Sequence, residues 1–106
     1  MNEKSYVARS SAIAARVIGD ETMVMSATNS TLFTLDEIAT VIWDAADGAT
    51  PLGEIVTNEV CNRFDVTPEV AIRDALVLVE KLAEHGLMLQ SEQPMLRPIR
   101  AAKGAL

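Results

Sequence analysis

Thr31-Leu32-Phe33-Thr34-Leu35-Asp36-Glu37-Ile38-Ala39-Thr40-Val41-Ile42-Trp43-Asp44-Ala45-Ala46-Asp47-Gly48 is the stretch in which the chain changes its period. Thr31-Leu32-Phe33 comes after the polar turn Thr28-Asn29-Ser30 and reads as a short strand. From Thr34 onward Leu35, Ile38, Ala39, Ile42, Trp43 and Ala46 fall at i, i+3, i+4, i+7, i+8 and i+11, which is one face of an α-helix. Thr34 and Glu37 have capping-box spacing, in which hydroxyl and carboxylate satisfy each other's orphan N–H groups. Asp47-Gly48 ends the helix, with Gly48 available for the left-handed position after it.

Upstream, Ala12-Ile13-Ala14-Ala15-Arg16-Val17-Ile18 reads as a strand with Ile13 and Val17 on one face. Gly19-Asp20-Glu21 supplies turn chemistry. Thr22 to Ala27 alternates Met23 and Met25 against Val24, which suits a second strand. Residues 1–11 show little apolar periodicity and read as a loose arm. Downstream, Thr50-Pro51 opens a second helix with an apolar stripe of Leu52, Ile55, Val56, Val60 and Phe64. Thr67-Pro68 opens a third helix that runs to about His85, with Gly86 past its end. Leu87-Met88-Leu89 reads as a brief extended segment. Pro94 and Pro98 break the chain beyond it, so residues 91–106 read as a flexible tail. The expectation is an α+β domain over 12–90, a small three-stranded antiparallel sheet packed on a three-helix bundle, like a winged helix-turn-helix.

Composition narrows the function classes. The 106 residues allow one domain, and 49% hydrophobic content supports a core that must be aliphatic, since aromatics make up 4%. Net charge is -6. Arg97, Arg100 and Lys103 against Glu92 leave the tail at +2, so residues 1–90 carry -8. That balance repels phosphate backbones and argues against nucleic-acid or anionic-membrane binding. Cys61 stands alone, which excludes an intramolecular disulfide and suits a reducing, cytoplasmic setting. No apolar run approaches the roughly 20 residues of a membrane span.

The third helix carries more apolar surface than one face requires. On a wheel, Leu78, Ala71, Leu82, Ala75, Val79, Ile72, Ala83 and Leu76 cover an arc of roughly 160°, against about 100° for a helix facing one core. Val70 and Val77 form a narrow strip between a charged cluster and Asp74, Lys81 and His85. Either the helix is central, touching the other helices and the sheet, or the surplus lines a groove for a partner. The first and third strands are sheet edges unless something covers them, and an exposed edge has unpaired main-chain groups on which an extended peptide can dock by adding a strand.

Catalytic and metal chemistry lacks a constellation. One His and one Cys, 24 positions apart, make no metal cluster. His85 suits the negative end of a helix dipole and Cys61 a packed thiol. The five glycines form no phosphate-cradling run. The reading is not an enzyme, and no cofactor is expected.

The run Leu32 to Asp44 followed by Asp47-Gly48 resembles the "L-N-x-x-G/A-x-x-I-W-x-L-x-D-G" segment of the PqqD family, with Ile42-Trp43 and Asp47-Gly48 in matching places. Thr50-Pro51-Leu52-Gly53-Glu54-Ile55 is similar to that family's "T-v-x-E-I" helix start, and Phe64-Asp65-Val66, Arg73-Asp74, Leu78, Leu82 and Gly86-Leu87 extend the likeness. The chain departs from the pattern in having Leu32-Phe33-Thr34-Leu35-Asp36 where Asn commonly follows the strand Leu, in Ile38-Ala39, where Gly is common, and in its extra tail. The resemblance implies a non-catalytic chaperone, a RiPP recognition element, that binds the leader of a ribosomal precursor peptide. It presents that leader to a modifying enzyme, a radical-SAM protein in the pathway to pyrroloquinoline quinone. By that resemblance Ser30, Thr31, Leu32 and Phe33 would offer main-chain hydrogen bonds to the leader. Asp74, Val77, Leu78 and Lys81 would form the helical wall. The rival readings are a dimerising scaffold, which admits a homodimer, and a winged-helix DNA-binding regulator, whose recognition helix would here be net acidic.

Overall fold

The corner between strand and helix forms later than the capping-box spacing suggests. In the computed structural model, which describes residues 2–11, 13–26 and 31–95, the strand continues to Leu35 and the helix starts at Glu37. The cap is Asp36, whose Oδ1 accepts from the Ala39 N–H at 2.8 Å. Thr34 stays in the strand because the pairs on either side of it, Phe33 with Val24 and Leu35 with Thr22, hold the backbone to the neighbouring strand. A pairing available to the backbone outweighs a hydroxyl cap two residues earlier.

Six strands and three helical segments are arranged in the order β1 (Tyr6–Arg9), β2 (Ile13–Ile18), β3 (Glu21–Ser26), β4 (Leu32–Leu35), α1 (Glu37–Ala45), β5 (Asp47–Pro51), α2 (Leu52–Ile55), α3 (Pro68–Glu84) and β6 (Met88–Ser91). α2 runs on into a π-helical turn, Val56–Val60, in which the Cys61 N–H reaches back to the Val56 carbonyl at 2.9 Å. The expected antiparallel meander is present as β2-β3-β4, with unbroken register from Ile13↔Ser26 to Ile18↔Glu21 and from Thr22↔Leu35 to Met25↔Leu32. The turn expected at 28–30 lies outside the described residues.

A second antiparallel sheet, β5-β1-β6, stands beside it and corrects three readings. Residues 1–11 are not a loose arm, because β1 is the middle strand of this sheet with Val7 wholly buried. A four-residue strand buried at both Val7 and Ala8 shows no period to read. The Ser5 carbonyl accepts from Leu52 N–H at 2.9 Å and the Glu3 carbonyl from Gly53 N–H at 2.7 Å, which serves the orphan donors that open α2. Gly48 is likewise not the residue after α1. It takes φ +78° inside β5, where the β1–β5 register slips between Tyr6↔Pro51 and Ala8↔Asp47. A Cβ there would sit 3.0 Å from that of Met95, whose N–H donates to the Gly48 carbonyl at 2.7 Å. Structure thus extends into the tail as far as Met95. Residues 96–106 lie outside the described residues.

Both sheets and all helices close on one core that includes Val24, Leu35, Ile42, Trp43, Leu52, Ile55, Val60, Val79, Leu82 and Leu87. Arg9 ties β1 to the end of α1 by donating from Nη1 to the carbonyls of Trp43 (3.2 Å) and Asp44 (3.0 Å). At the end of α3, Gly86 takes φ +77°. Its N–H reaches Ala83 at 3.1 Å, and that of Leu87 reaches Leu82 at 2.8 Å. This double closure is a Schellman motif, and it turns the chain into β6.

Two residues of this framework yield predictions. Thr22 is 1% exposed and its Oγ1 finds no hydrogen-bond partner among the described residues. An unpaired buried hydroxyl costs desolvation without return, so Thr22→Val is expected to leave stability unchanged or raise it by up to ~1 kcal/mol, read from urea denaturation. Asp47 Oδ1 accepts from the N–H groups of Ala49 (2.8 Å) and Thr50 (3.1 Å). The Ala49 bond is the largest influence and, with those of Thr50, holds the carboxyl below its ordinary range in spite of partial desolvation. A carboxylate lowered in the folded state stabilises above its unfolded value, about 3.9, and loses that contribution as pH falls through its own lower value. The gap in urea midpoint between the native protein and Asp47→Ala should therefore be full at pH 6 and close below about pH 4.

Candidate functional site

β4 is the free edge of its sheet among the described residues, with β3 as its strand neighbour on one side. The Ser26 N–H donates to the Thr31 carbonyl at 3.0 Å. Antiparallel alternation then aims the main-chain groups of Thr31, Phe33 and Leu35 at β3 and leaves those of Leu32 and Thr34 on the open side. Leu32 is 54% exposed.

Phe33 connects this edge to the last turns of α3. Its ring meets the His85 ring edge-on, with centroids 5.1 Å apart and planes at 70°. The Lys81 Nζ stands 5.9 Å from the centroid of the Phe33 ring, within the range of a cation–π contact. His85 Nδ1 lies 2.9 Å from the Lys81 carbonyl, which only accepts, so Nδ1 carries the proton and the ring orientation is fixed.

Toward the start of α3 the two elements diverge around a groove of about 220 Å³. α1 contributes Ile38, Ala39 and Ile42, and α3 contributes Val70, Ala71, Asp74, Ala75 and Leu78. Asp36 at the corner, with Val60 and Val66, completes the lining, so its two charged residues are both carboxylates. The volume exceeds the ~150 Å³ of a cavity that admits a benzene ring, enough for one or two apolar side chains.

Of the sequence-predicted residues, Leu32 and Phe33 lie on this edge and Asp74 and Leu78 line the groove, with Lys81 one turn further along the same helical stripe. Thr31 gives its carbonyl to Ser26, and Ser30 lies outside the described residues. Val77 stands apart as an exposed residue at 61%. Asp36, Thr34, Val70 and His85 also belong to the arrangement. Thr34 follows from the two-residue alternation once the register is known, and Val70 and His85 continue the stripe of Asp74, Leu78 and Lys81. Most of the apolar surplus of α3 is core: Ala71, Ala75, Val79 and Leu82 are buried, and Ile72, Leu76 and Leu78 pack against them. No described helix is long and apolar enough to cross a membrane, and the described residues hold no group of three or more His, Cys, Asp or Glu placed to bind a metal.

The edge, the Phe33 anchor and the groove all fall within residues 21–88, the span that matches the family Coenzyme PQQ synthesis protein D (PqqD). The chain belongs to the PqqD family. Among solved structures it is similar to "TbiB1 in Complex with the TbiA(beta) Leader Peptide", with 26% identity and a TM-score of 0.68 over 76% of this chain and 93% of that one. No curated protein matches the chain.

Within this PqqD domain, exposure separates the two uses of α3. Val77→Ser is expected to shift stability by less than ~0.5 kcal/mol, as for an exposed site. Leu82→Ser, at a position with no exposure, should cost several times more, on the order of 3 kcal/mol. Urea denaturation of both variants checks the contrast.

Proposed function

We propose that this protein is a non-catalytic RiPP recognition element that binds the leader segment of a ribosomally made precursor peptide and hands it to a modifying enzyme. The observation that carries the reading is the open main chain of Leu32 and Thr34 on a strand held against α3 by Phe33. Family membership and the likeness to a domain complexed with a leader peptide support it. The leader adds as a further strand on β4, with Asp74, Leu78 and Lys81 as the wall. Thr31 and Phe33 hold the edge on β3. The enzyme partner is a radical-SAM protein or another peptide-modifying enzyme, with the chemistry residing there. The meander beside three helical segments serves as a winged-helix-like platform for the peptide, in a cytoplasmic setting. Self-association through the exposed Val17 and Ile18 at the other end of the sheet would leave this edge accessible, so a homodimer suits the same role.

Leu32→Pro tests strand addition selectively. The lost N–H faces the open edge, so the β3–β4 ladder keeps its hydrogen bonds and the fold persists. Titration calorimetry against precursor-like peptides encoded beside this gene should show one-to-one binding to a leader segment, weakened at least tenfold in the variant. Equal affinity in a folded variant overturns strand addition.

A further inference from the structure

The stripe of α3 that runs from the groove to the edge strand has opposite charge at its two ends. At the corner end Asp36 and Asp74 line the groove, and no cation joins them there. At the other end Lys81 stands over Phe33, next to His85. Asp74 and Lys81 share one helical stripe with Leu78 between them. The single salt bridge among the described residues, Arg63–Glu59, involves neither. Both side chains are exposed and have no ionic partner among the described residues, Asp74 lining the groove beside Asp36 and Lys81 standing over Phe33 of the edge strand.

We infer that the leader recognised here carries the pattern basic, any, apolar, any, acidic, read from its N- to its C-terminus. The inference rests on the strand-addition reading above and adds the chemistry of the peptide to it. Spacing supplies the pattern. Asp74 and Lys81 lie about 10 Å apart along the helix at 1.5 Å per residue. Positions i and i+4 of a strand lie about 13 Å apart on the same face, a difference that a Lys and a Glu side chain absorb. Position i+2 then points between them at Leu78, where the groove receives an apolar side chain. Direction comes from the sheet. β4 runs from Phe33, beside Lys81, to the corner at Asp36, and both sheets are antiparallel throughout. Antiparallel pairing is the more stable per residue, so an added strand runs from the carboxylates toward Lys81. Its basic residue comes first and its acid last.

The test uses three acetylated nonapeptides: Ser-Thr-Lys-Thr-Leu-Thr-Glu-Thr-Ser, its counterpart with Lys and Glu exchanged, and a version with Gln at both places. Each is titrated into 15N-labelled full-length protein at low salt. Amide shifts at Leu32 and Thr34 report strand addition, and their concentration dependence gives affinity. The Lys-first peptide should bind about tenfold more tightly than the exchanged one, with the Gln version between, since each exposed ion pair is worth a modest amount. The preference should shrink in 0.5 M salt. In the double variant Asp74→Lys, Lys81→Glu, whose folding is checked by its thermal melt, the order should invert. Equal binding of all three peptides, with shifts still at Leu32 and Thr34, overturns the charge pattern and leaves strand addition standing. Tighter binding of the exchanged peptide to the native protein overturns the assigned direction. Absence of shifts at Leu32 and Thr34 with every peptide removes strand addition as well.

Discussion

The two-residue alternation of β4 is the constraint on which the rest of the site depends. Val24 faces Phe33 and Thr22 faces Leu35, so these pairs spend their main-chain groups on the ladder and turn their side chains toward the core and α3. The same geometry forces the main chains of Leu32 and Thr34 outward. One strand of four residues therefore anchors itself on α3 through Phe33 and offers an open edge beside that anchor. Neither property can be altered by a shift of one residue without inverting both.

Where residues repeat with a period, the architecture is legible in the sequence. Ile38, Ala39, Ile42 and Trp43 define the inward face of α1, and Leu52, Ile55, Val56 and Val60 that of α2 and its π turn. In α3, Ala71, Ala75, Val79 and Leu82 do the same. Contacts between segments far apart in the chain leave no such trace. β1 and β5 have four and five residues, too few for a period, and their pairing brings residues 6–8 against 47–51. The second sheet is therefore invisible to periodicity, and Gly48 looks like a helix stop when its positive φ belongs to a register slip. Asp36 and Thr34 both have the chemistry to cap α1, and the choice between them is made by the pairing of Leu35 with Thr22 in β3.

The site is legible in part for the same reason. Asp74, Leu78 and Lys81 share a stripe by helical spacing alone, but a wheel does not say which flank meets the sheet. Phe33 decides it by stacking near Lys81 and His85. Asp36 joins the site only once the corner is placed, since a residue that reads as part of a helix's first turn sits at the mouth of the groove.

The groove exists because α1 and α3 meet through small residues. Ala39, Ala71 and Ala75 line it, each nearly or wholly buried, where larger side chains would fill the space. A core selected for stability alone would place Leu or Ile at such positions, since each added buried methylene is worth about 0.8 kcal/mol. A ligand side chain entering the groove would regain the apolar burial forgone there, and in the proposed reading the unfilled volume and the exposed edge of β4 serve one purpose. The edge supplies main-chain hydrogen bonds that any extended peptide can make. In the proposed reading, the groove, with carboxylates at one end and Lys81 beyond the other, would restrict which peptide does so.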